Sequence, residues 1–316
     1  MGRTVLAHLT RYAEAIIPML REAVPGVEFV ACEADGSHER QGDVLVTLLD
    51  DRAKLDPEMF ERALTPEVRW VHVLGAGVDR FPLQVVGDRT LTCSRGAAAP
   101  AIAEFVLAAM LAFEKQIPDV WITEPPEYWG AAGLGGLRGR TLGLVGLGAI
   151  GNEVARRALA FNTRVVAFRR TGAPSEIEGV EVVGSLEELL ARSDHVVIAA
   201  PATAATRHLF DAAAFAAMKP GAHLVNIARG ELIDQQALIA ALDDGRVARA
   251  TLDVTDPEPL PAGHPLYAHP RVRVSPHISW SSVDTITRTI EIFISNLARY
   301  DIGEPLEGLV DVDAGY

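Results

Sequence analysis

"VGLGAIGNEVARRALAFNTRVVAFRR", residues 145–170, decides the fold. It leaves an apolar strand and turns through Gly146-Leu147-Gly148-Ala149-Ile150-Gly151. It then enters a helix with Ile150, Val154 and Ala158 on one face, and reaches a second strand, "RVVAF" (164–168). A G-x-G-x-x-G loop between a strand and a helix is the fingerprint of a dinucleotide-binding unit. Gly146 makes the tight turn, Gly148 lets the backbone approach a pyrophosphate, and Gly151 allows helix and strand to pack closely. The helix N-terminus, with Ala149 and Ile150 in its first turn, attracts the phosphates. In a chain with 27 glycines the bare pattern is weak, and its strand–helix context gives it force.

An acidic residue about 20 positions on usually grips the ribose 2′-hydroxyl of NAD. Here Arg169 and Arg170 stand in its place, followed by Thr171. A carboxylate there would repel a 2′-phosphate, whereas guanidinium groups offer it forked donors. The arginines therefore favour NADP(H), with NAD(H) still usable. In the alternative, both face solvent and discriminate little.

Outward from this stretch the alternation continues. "TLGLVGL" (141–147), "HVVIAA" (195–200), "HLVNIA" (223–228), "RATLDV" (249–254) and "RVRVSP" (271–276) read as strands. "SLEELLARS" (185–193) is a helix capped by Ser185 with Glu188 three residues on, and "DQQALIAALDDG" (234–245) runs from an Asp N-cap to Gly245. In the first hundred residues "TVLAHL", "VEFVAC", "DVLVTLL" and "VRWVHVL" repeat the theme less regularly. Strands alternating with helices mean parallel sheets covered on both faces. The helix 100–115 is apolar nearly all round, as expected of one buried between domains or subunits. The helix 285–300 carries Ile286, Ile290, Phe293, Ile294 and Leu297 on one stripe and could return the chain to the first domain. The expected fold is thus α/β, with two Rossmann-like or flavodoxin-like parallel-sheet domains. The dinucleotide domain, 99–279, is inserted into a discontinuous substrate domain, 1–98 plus 280–316.

Composition removes other classes. Of the 316 residues 49% are hydrophobic and 22% charged, the balance of an ordinary globule. A net charge of −13 argues against a nucleic-acid surface. Any acidic ligand then needs a local cationic site, which screening over about 8–10 Å permits. No apolar run is long enough to span a bilayer, and "MGRTVLAHLT" lacks the marks of a signal peptide. Two cysteines, Cys32 and Cys93, make no disulfide framework, and no Cys/His cluster has metal-ligand spacing. A reducing cytoplasm, two structural thiols and no metal are the expectation.

Three polar residues follow strands of the second domain. Arg229 lies in "NIARGELID", Glu258 in "TLDVTDPEPLPAGHPLY", and His277 in "RVRVSPHIS". Ligands of open α/β sheets bind beyond the carboxyl ends of strands, so all three could face one crevice. Arginine can fix a carboxylate with two parallel bonds. Histidine can move a proton near neutral pH, and a carboxylate beside it would orient the ring. Singly, each could also be a salt-bridge former, a solvated loop residue or a core residue.

At these residues the chain resembles the D-isomer-specific 2-hydroxyacid dehydrogenase family. "VGLGAIG", "MKPGAHLVNIARGELID", "TLDVTDPEPLPAGHPLY" and "SPHIS" carry the likeness, with "VLGAGVDRF" and "AIAEFVLAAMLA" before them, over nearly the whole chain. The Arg-Arg pair and "DVTDPEPLP" are most similar to glyoxylate/hydroxypyruvate reductases. The resemblance implies reduction of a small 2-oxo acid to its D-2-hydroxy acid, with hydride from a nicotinamide. Arg229 would bind the carboxylate and ketone oxygen, His277 would donate the proton, and Glu258 would be its partner. Amides of Ala76 and Gly77 would hold the carboxylate from the other domain. Pro201, Ile227, Asp253 and Ser279 would line the rest of the cofactor.

Relatives often have glycine and a small residue after the histidine, whereas this chain has Ser279-Trp280. Trp280 would put an indole at the substrate pocket, or else pack between domains. The loop 121–136, with Trp121 and Trp129, would reach a neighbouring subunit in a homodimer. Formate dehydrogenases share the architecture but pair histidine with glutamine. Corepressor-like nucleotide sensors keep the Arg-Glu-His set, and they remain the alternative from another class.

Overall fold

In the computed structural model, which describes residues 3–33, 35–48, 57–78, 81–130, 133–312 and 315, the chain divides into two units, Met1–Ala98 with Ser282–Tyr316 and Ala99–Ser281. The first unit begins with β1 (Thr4–His8), α1 (Ala13–Ala23), β2 (Glu28–Ala31), β3 (Val44–Thr47), α2 (Pro57–Ala63), β4 (Trp70–Val73) and β5 (Thr90–Cys93). Its strands pair in parallel in the order β2-β1-β3-β4-β5. VLVT of β3 and WVHV of β4 are buried at every residue, as strands of a parallel sheet covered on both faces must be.

The second unit contains α3 (Ala99–Glu114), β6 (Thr141–Val145), α4 (Ala149–Ala160), β7 (Arg164–Phe168), β8 (Val180–Val182), α5 (Leu186–Arg192) and β9 (His195–Ile198). It continues through α6 (Ala212–Ala217), β10 (Ala222–Asn226), α7 (Gln235–Asp243), β11 (Val247–Leu252), α8 (Pro265–Ala268) and β12 (Val272–Val274). The parallel order is β12-β11-β10-β9-β6-β7-β8. From β6 the chain builds outward through β7 and β8, then returns to the other side of β6 with β9. That reversal opens a crevice at the carboxyl ends of β6 and β9, where open sheets of this kind take their ligands.

The helices start and stop where their side chains dictate. Ser185 accepts the amide of Glu188 at 3.1 Å, and the Glu188 carboxylate takes the amide of Gly184, one residue ahead of the cap. Asp234 accepts the amides of Gln236 and Ala237, and Gly245 ends the next turn at φ +80°.

α9 (Thr285–Asp301) returns to the first unit and packs Ile290, Phe293 and Leu297 into its core, with Phe293 stacked on Trp70 at 5.7 Å. Ile286, expected on that apolar stripe, is instead half exposed. Buried Asn296 exchanges two 2.8 Å bonds with the backbone of Glu307, tying down the tail.

Two strands have no counterpart in the sequence reading. β5 carries "TLTC", half polar, and β8 is a three-residue edge strand with exposed Glu181, so neither offers an apolar run. Five expected strands of the second unit end too late, the last of them at 275–276 beyond β12. Residues 146–147, 199–200, 227–228 and 253–254 leave the ladder early, because there the chain turns into the loops that carry the site.

Among the described residues no helix is long and apolar enough to cross a membrane, and no group of three or more His, Cys, Asp or Glu side chains could hold a metal. Cys32 and Cys93 are free, and burial pushes the Cys32 thiol up to about 12.

Candidate active site

Each glycine of the loop has its own reason. Gly146 stands at φ +103°, and a Cβ there would lie 2.6 Å from the carbonyl oxygen of Ala199, just beyond β9. A Cβ on Gly151 would come within 2.4 Å of the Gly146 oxygen. Gly148 differs, because a Cβ there would meet nothing within 4 Å. It is also the N-cap of α4 and makes no side-chain cap. Open space thus faces uncapped amides at the positive end of a twelve-residue helix, which suits a pyrophosphate. Ala149 and Ile150 form the first turn. The Gly146 amide donates to Phe168 at the end of β7, so Arg169 and Arg170 follow directly beside the loop. Arg169 is half-buried with no ion pair to a described residue, and Arg170 is exposed. The residues present fit a dinucleotide.

Arg229, Glu258 and His277 follow three adjacent strands whose ends are in register, Asn226 beside Leu252 and Leu252 beside Val274. All three therefore issue from the same edge of the sheet as the glycine loop. His277 Nδ1 lies 2.7 Å from Glu258 Oε1, both side chains about one-fifth to one-quarter exposed, so the pair is sheltered yet reachable. The Glu258 carboxylate can only accept in this contact, so Nδ1 carries the proton that it faces, and Nε2 is the ring atom turned to any other partner. His277 adopts φ +53°, a left-handed conformation that costs a non-glycine residue about 1–2 kcal/mol. Its backbone is held against that cost. The His277 amide donates to the carbonyls of Asp253 and Ser275.

The turn bearing Arg229 is built by buried Asn226, which donates to the Arg229 carbonyl at 2.8 Å and accepts the Ala228 amide at 3.0 Å. Gly230 then presses on the neighbouring loop. A Cβ there would sit 1.9 Å from the carbonyl carbon of Thr255, and Gln235 donates to the carbonyl of Asp256. The loop that carries Glu258 is thereby docked on the turn that carries Arg229.

Of the remaining expected residues, Asp253 is buried and its carboxylate accepts the Ser275 hydroxyl at 2.6 Å and the Ile278 and Ser279 amides at 2.9 Å each. Its oxygens thus hold the histidine loop. Ser279 and Ile227 are buried, and Pro201 is exposed beyond β9. Trp280 is 41% exposed, and its indole donates to the carbonyl of His277. In the first unit Ala76 is exposed and Gly77 half-buried beyond β4, and neither amide donates to another described residue. Asp79 and Arg80 of "VLGAGVDRF", and Ala131 and Ala132 of the 121–136 loop, lie outside the described residues. Sequence reasoning missed Asn226, Gly230 and Gln235. Only their place in "NIARGELIDQQ", beside Arg229, pointed to them.

The other edge of the same sheet holds a second polar cluster. Buried Glu114 accepts from His195 Nε2 at 3.0 Å, His195 Nδ1 meets His223 Nδ1 at 3.2 Å, and His223 Nε2 meets Thr251 Oγ1 at 3.0 Å. Only one of the two Nδ1 atoms can carry a proton in that contact, so the ring tautomers are coupled. Burial, aided by the charges of His195 and Arg249, holds His223 well below the usual histidine range.

The family model of the D-isomer specific 2-hydroxyacid dehydrogenase NAD binding domain matches residues 107–279. A glyoxylate reductase of Korarchaeum cryptofilum is 36% identical over 282 residues, 85% of this chain and 82% of that protein. Among solved structures, a D-isomer specific 2-hydroxyacid dehydrogenase from Xanthobacter autotrophicus Py2 in complex with NADPH and MES is 31% identical. It covers 100% of this chain and 99% of its own, with a TM-score of 0.86. An NADPH-dependent glyoxylate/hydroxypyruvate reductase from Sinorhizobium meliloti in complex with NADP and sulfate is 27% identical, covers 99% and 100%, and has a TM-score of 0.84.

Proposed function

The chain belongs to the D-isomer specific 2-hydroxyacid dehydrogenases, NAD(P)-dependent oxidoreductases that act on 2-oxo acids, and on that premise we propose that it reduces glyoxylate, hydroxypyruvate or a close analogue to the D-2-hydroxy acid, with NADPH preferred. The observation that carries this reading is the 2.7 Å His277–Glu258 pair at the strand edge that also bears Arg229 and the glycine loop. The bound nicotinamide supplies the hydride. Arg229 binds the carboxylate and polarises the ketone oxygen, and His277 gives that oxygen a proton from Nε2. Glu258 holds the ring in the tautomer that can do so and stabilises its charged form. The amides of Ala76 and Gly77 bind the substrate carboxylate. Gly148, Ala149 and Ile150 seat the pyrophosphate, with Pro201, Ile227, Asp253 and Ser279 around the rest of the cofactor. In this reading Ala99–Ser281 is the nucleotide domain and the remainder the substrate domain. Exposed Trp121 and Trp129, 70% and 85%, support a homodimer in which they meet the partner.

Initial rates at 340 nm with NADPH and NADH against glyoxylate, hydroxypyruvate, pyruvate and phenylpyruvate test the reading. Reduction of the two small acids, about tenfold or more better with NADPH in kcat/KM, is the expected result. Tight cofactor binding without turnover of any acid would instead leave a nucleotide-sensing protein.

A further inference from the structure

Trp280 stands three residues beyond His277, and although its ring is 41% exposed its indole Nε1–H donates to the His277 carbonyl at 2.8 Å. The acceptor belongs to a residue at φ +53°. A left-handed non-glycine residue persists only when its surroundings over-determine it. The contacts of His277 show how that is done. Its amide is held by the carbonyls of Asp253 and Ser275, and its ring by Glu258 Oε1 at 2.7 Å. Those contacts fix the N-terminal side of the residue and the side chain. On the C-terminal side, the Ile278 and Ser279 amides are pinned to the Asp253 carboxylate, and the carbonyl of His277 itself is taken by Trp280.

We infer that Trp280 is a positioning residue. Its indole N–H clamps the His277 carbonyl and so keeps the imidazole on Glu258, an inference that rests on His277 being the proton donor of the proposed reaction. A rigid bicyclic ring suits this task, because one edge can donate a bond while the rest of the ring stays wet. A glycine or alanine at this position would leave the carbonyl to water and the histidine free to relax toward more populated backbone angles.

Trp280→Phe removes the donor and keeps an aromatic ring, and Trp280→His restores a ring N–H. Two measurements test the pair. In steady-state reduction of glyoxylate, hydroxypyruvate and phenylpyruvate, Trp280→Phe should lower kcat about tenfold for every acid, a part of the ~10²–10⁴ that a positioned acid contributes, and leave KM unchanged. Trp280→His should recover part of the loss. In protein labelled with [15N]histidine and free of substrate, the downfield Nδ1–H proton of His277 should be sharp in the parent and broadened in Trp280→Phe. Its absence from His277→Asn assigns it. An unchanged kcat with KM raised for one acid alone would make Trp280 a substrate contact and overturn the inference. So would an equally sharp imidazole proton in Trp280→Phe. If the parent reduces no 2-oxo acid, the functional reading fails by itself, and the imidazole signal alone still decides whether Trp280 holds His277.

Discussion

A carboxylate at the end of β7 would have marked an NAD site, and the chain has Arg169 and Arg170 there instead. Their placement follows from the Gly146 amide, which donates to Phe168 and so fixes the next residues beside the glycine turn. The arginine effect is local, since a net charge of −13 works against any anion at long range. Replacing both arginines by serine should lower kcat/KM with NADPH by about tenfold to a hundredfold, or about 1.4–2.7 kcal/mol, and leave NADH nearly unchanged. Equal losses with both cofactors would mean that the pair shapes the loop and reads no phosphate. The residues proposed to do chemistry drew notice because polar side chains in the loops after apolar strands stand out. The residues that hold them were not. Nothing in one-dimensional spacing shows that a Cβ at Gly230 would strike Thr255, or that Asp253 accepts three bonds from the histidine loop.

Elements of the second unit were legible in proportion to how much apolar surface they bury. β6, β7, β9, β10 and β11 each carry a run that a covered parallel strand needs, and the caps Ser185 and Asp234 announce their helices. The short edge strand β8 and the half-polar β5 carry no such signal. Strand ends were overrun because the apolar residues beyond them, such as Ile227, are buried as loop and not as ladder. The turn between β6 and α4 gives a test with opposite outcomes at neighbouring positions. Gly148→Ala adds a Cβ with nothing within 4 Å, so it should fold with an unchanged Tm but bind NADPH more weakly, because the methyl fills the pyrophosphate's approach. Gly146→Ala would place a side chain at φ +103° and 2.6 Å from the Ala199 oxygen, and should lower Tm itself. Thermal melts with and without NADPH separate the two. A Gly148→Ala protein with full affinity would remove the loop's proposed role.

For the whole molecule, acid is the expected weakness. Burial lowers His8 and His223, and brings His72 down to about 3, where it is hydrogen-bonded to Thr92 and Ser94. The folded values lie below the usual 6.5, so the unfolded chain binds the extra protons. Stability is therefore fully present above about pH 6.5 and falls as pH drops below it, by about 1.4 kcal/mol per pH unit for each histidine that stays neutral when folded. Urea midpoints measured from pH 7.5 to 5 should decline, and His72→Gln should flatten part of the slope. A flat profile would show that water reaches these rings.

The return of α9 to the first unit also sets an order of birth. Phe293 stacks on Trp70, yet 223 residues separate them along the chain, and the contiguous Ala99–Ser281 unit lies between. A ribosome adding about 5–20 residues per second needs roughly 10–45 s to cross that interval. For that time the nascent β4 has no Phe293 to cover Trp70, while the Ala99–Ser281 unit is made as one contiguous stretch within the interval. The second half of the chain is thus equipped to finish first. The first half must wait, a natural client for whatever shields apolar surface at the exit of the tunnel.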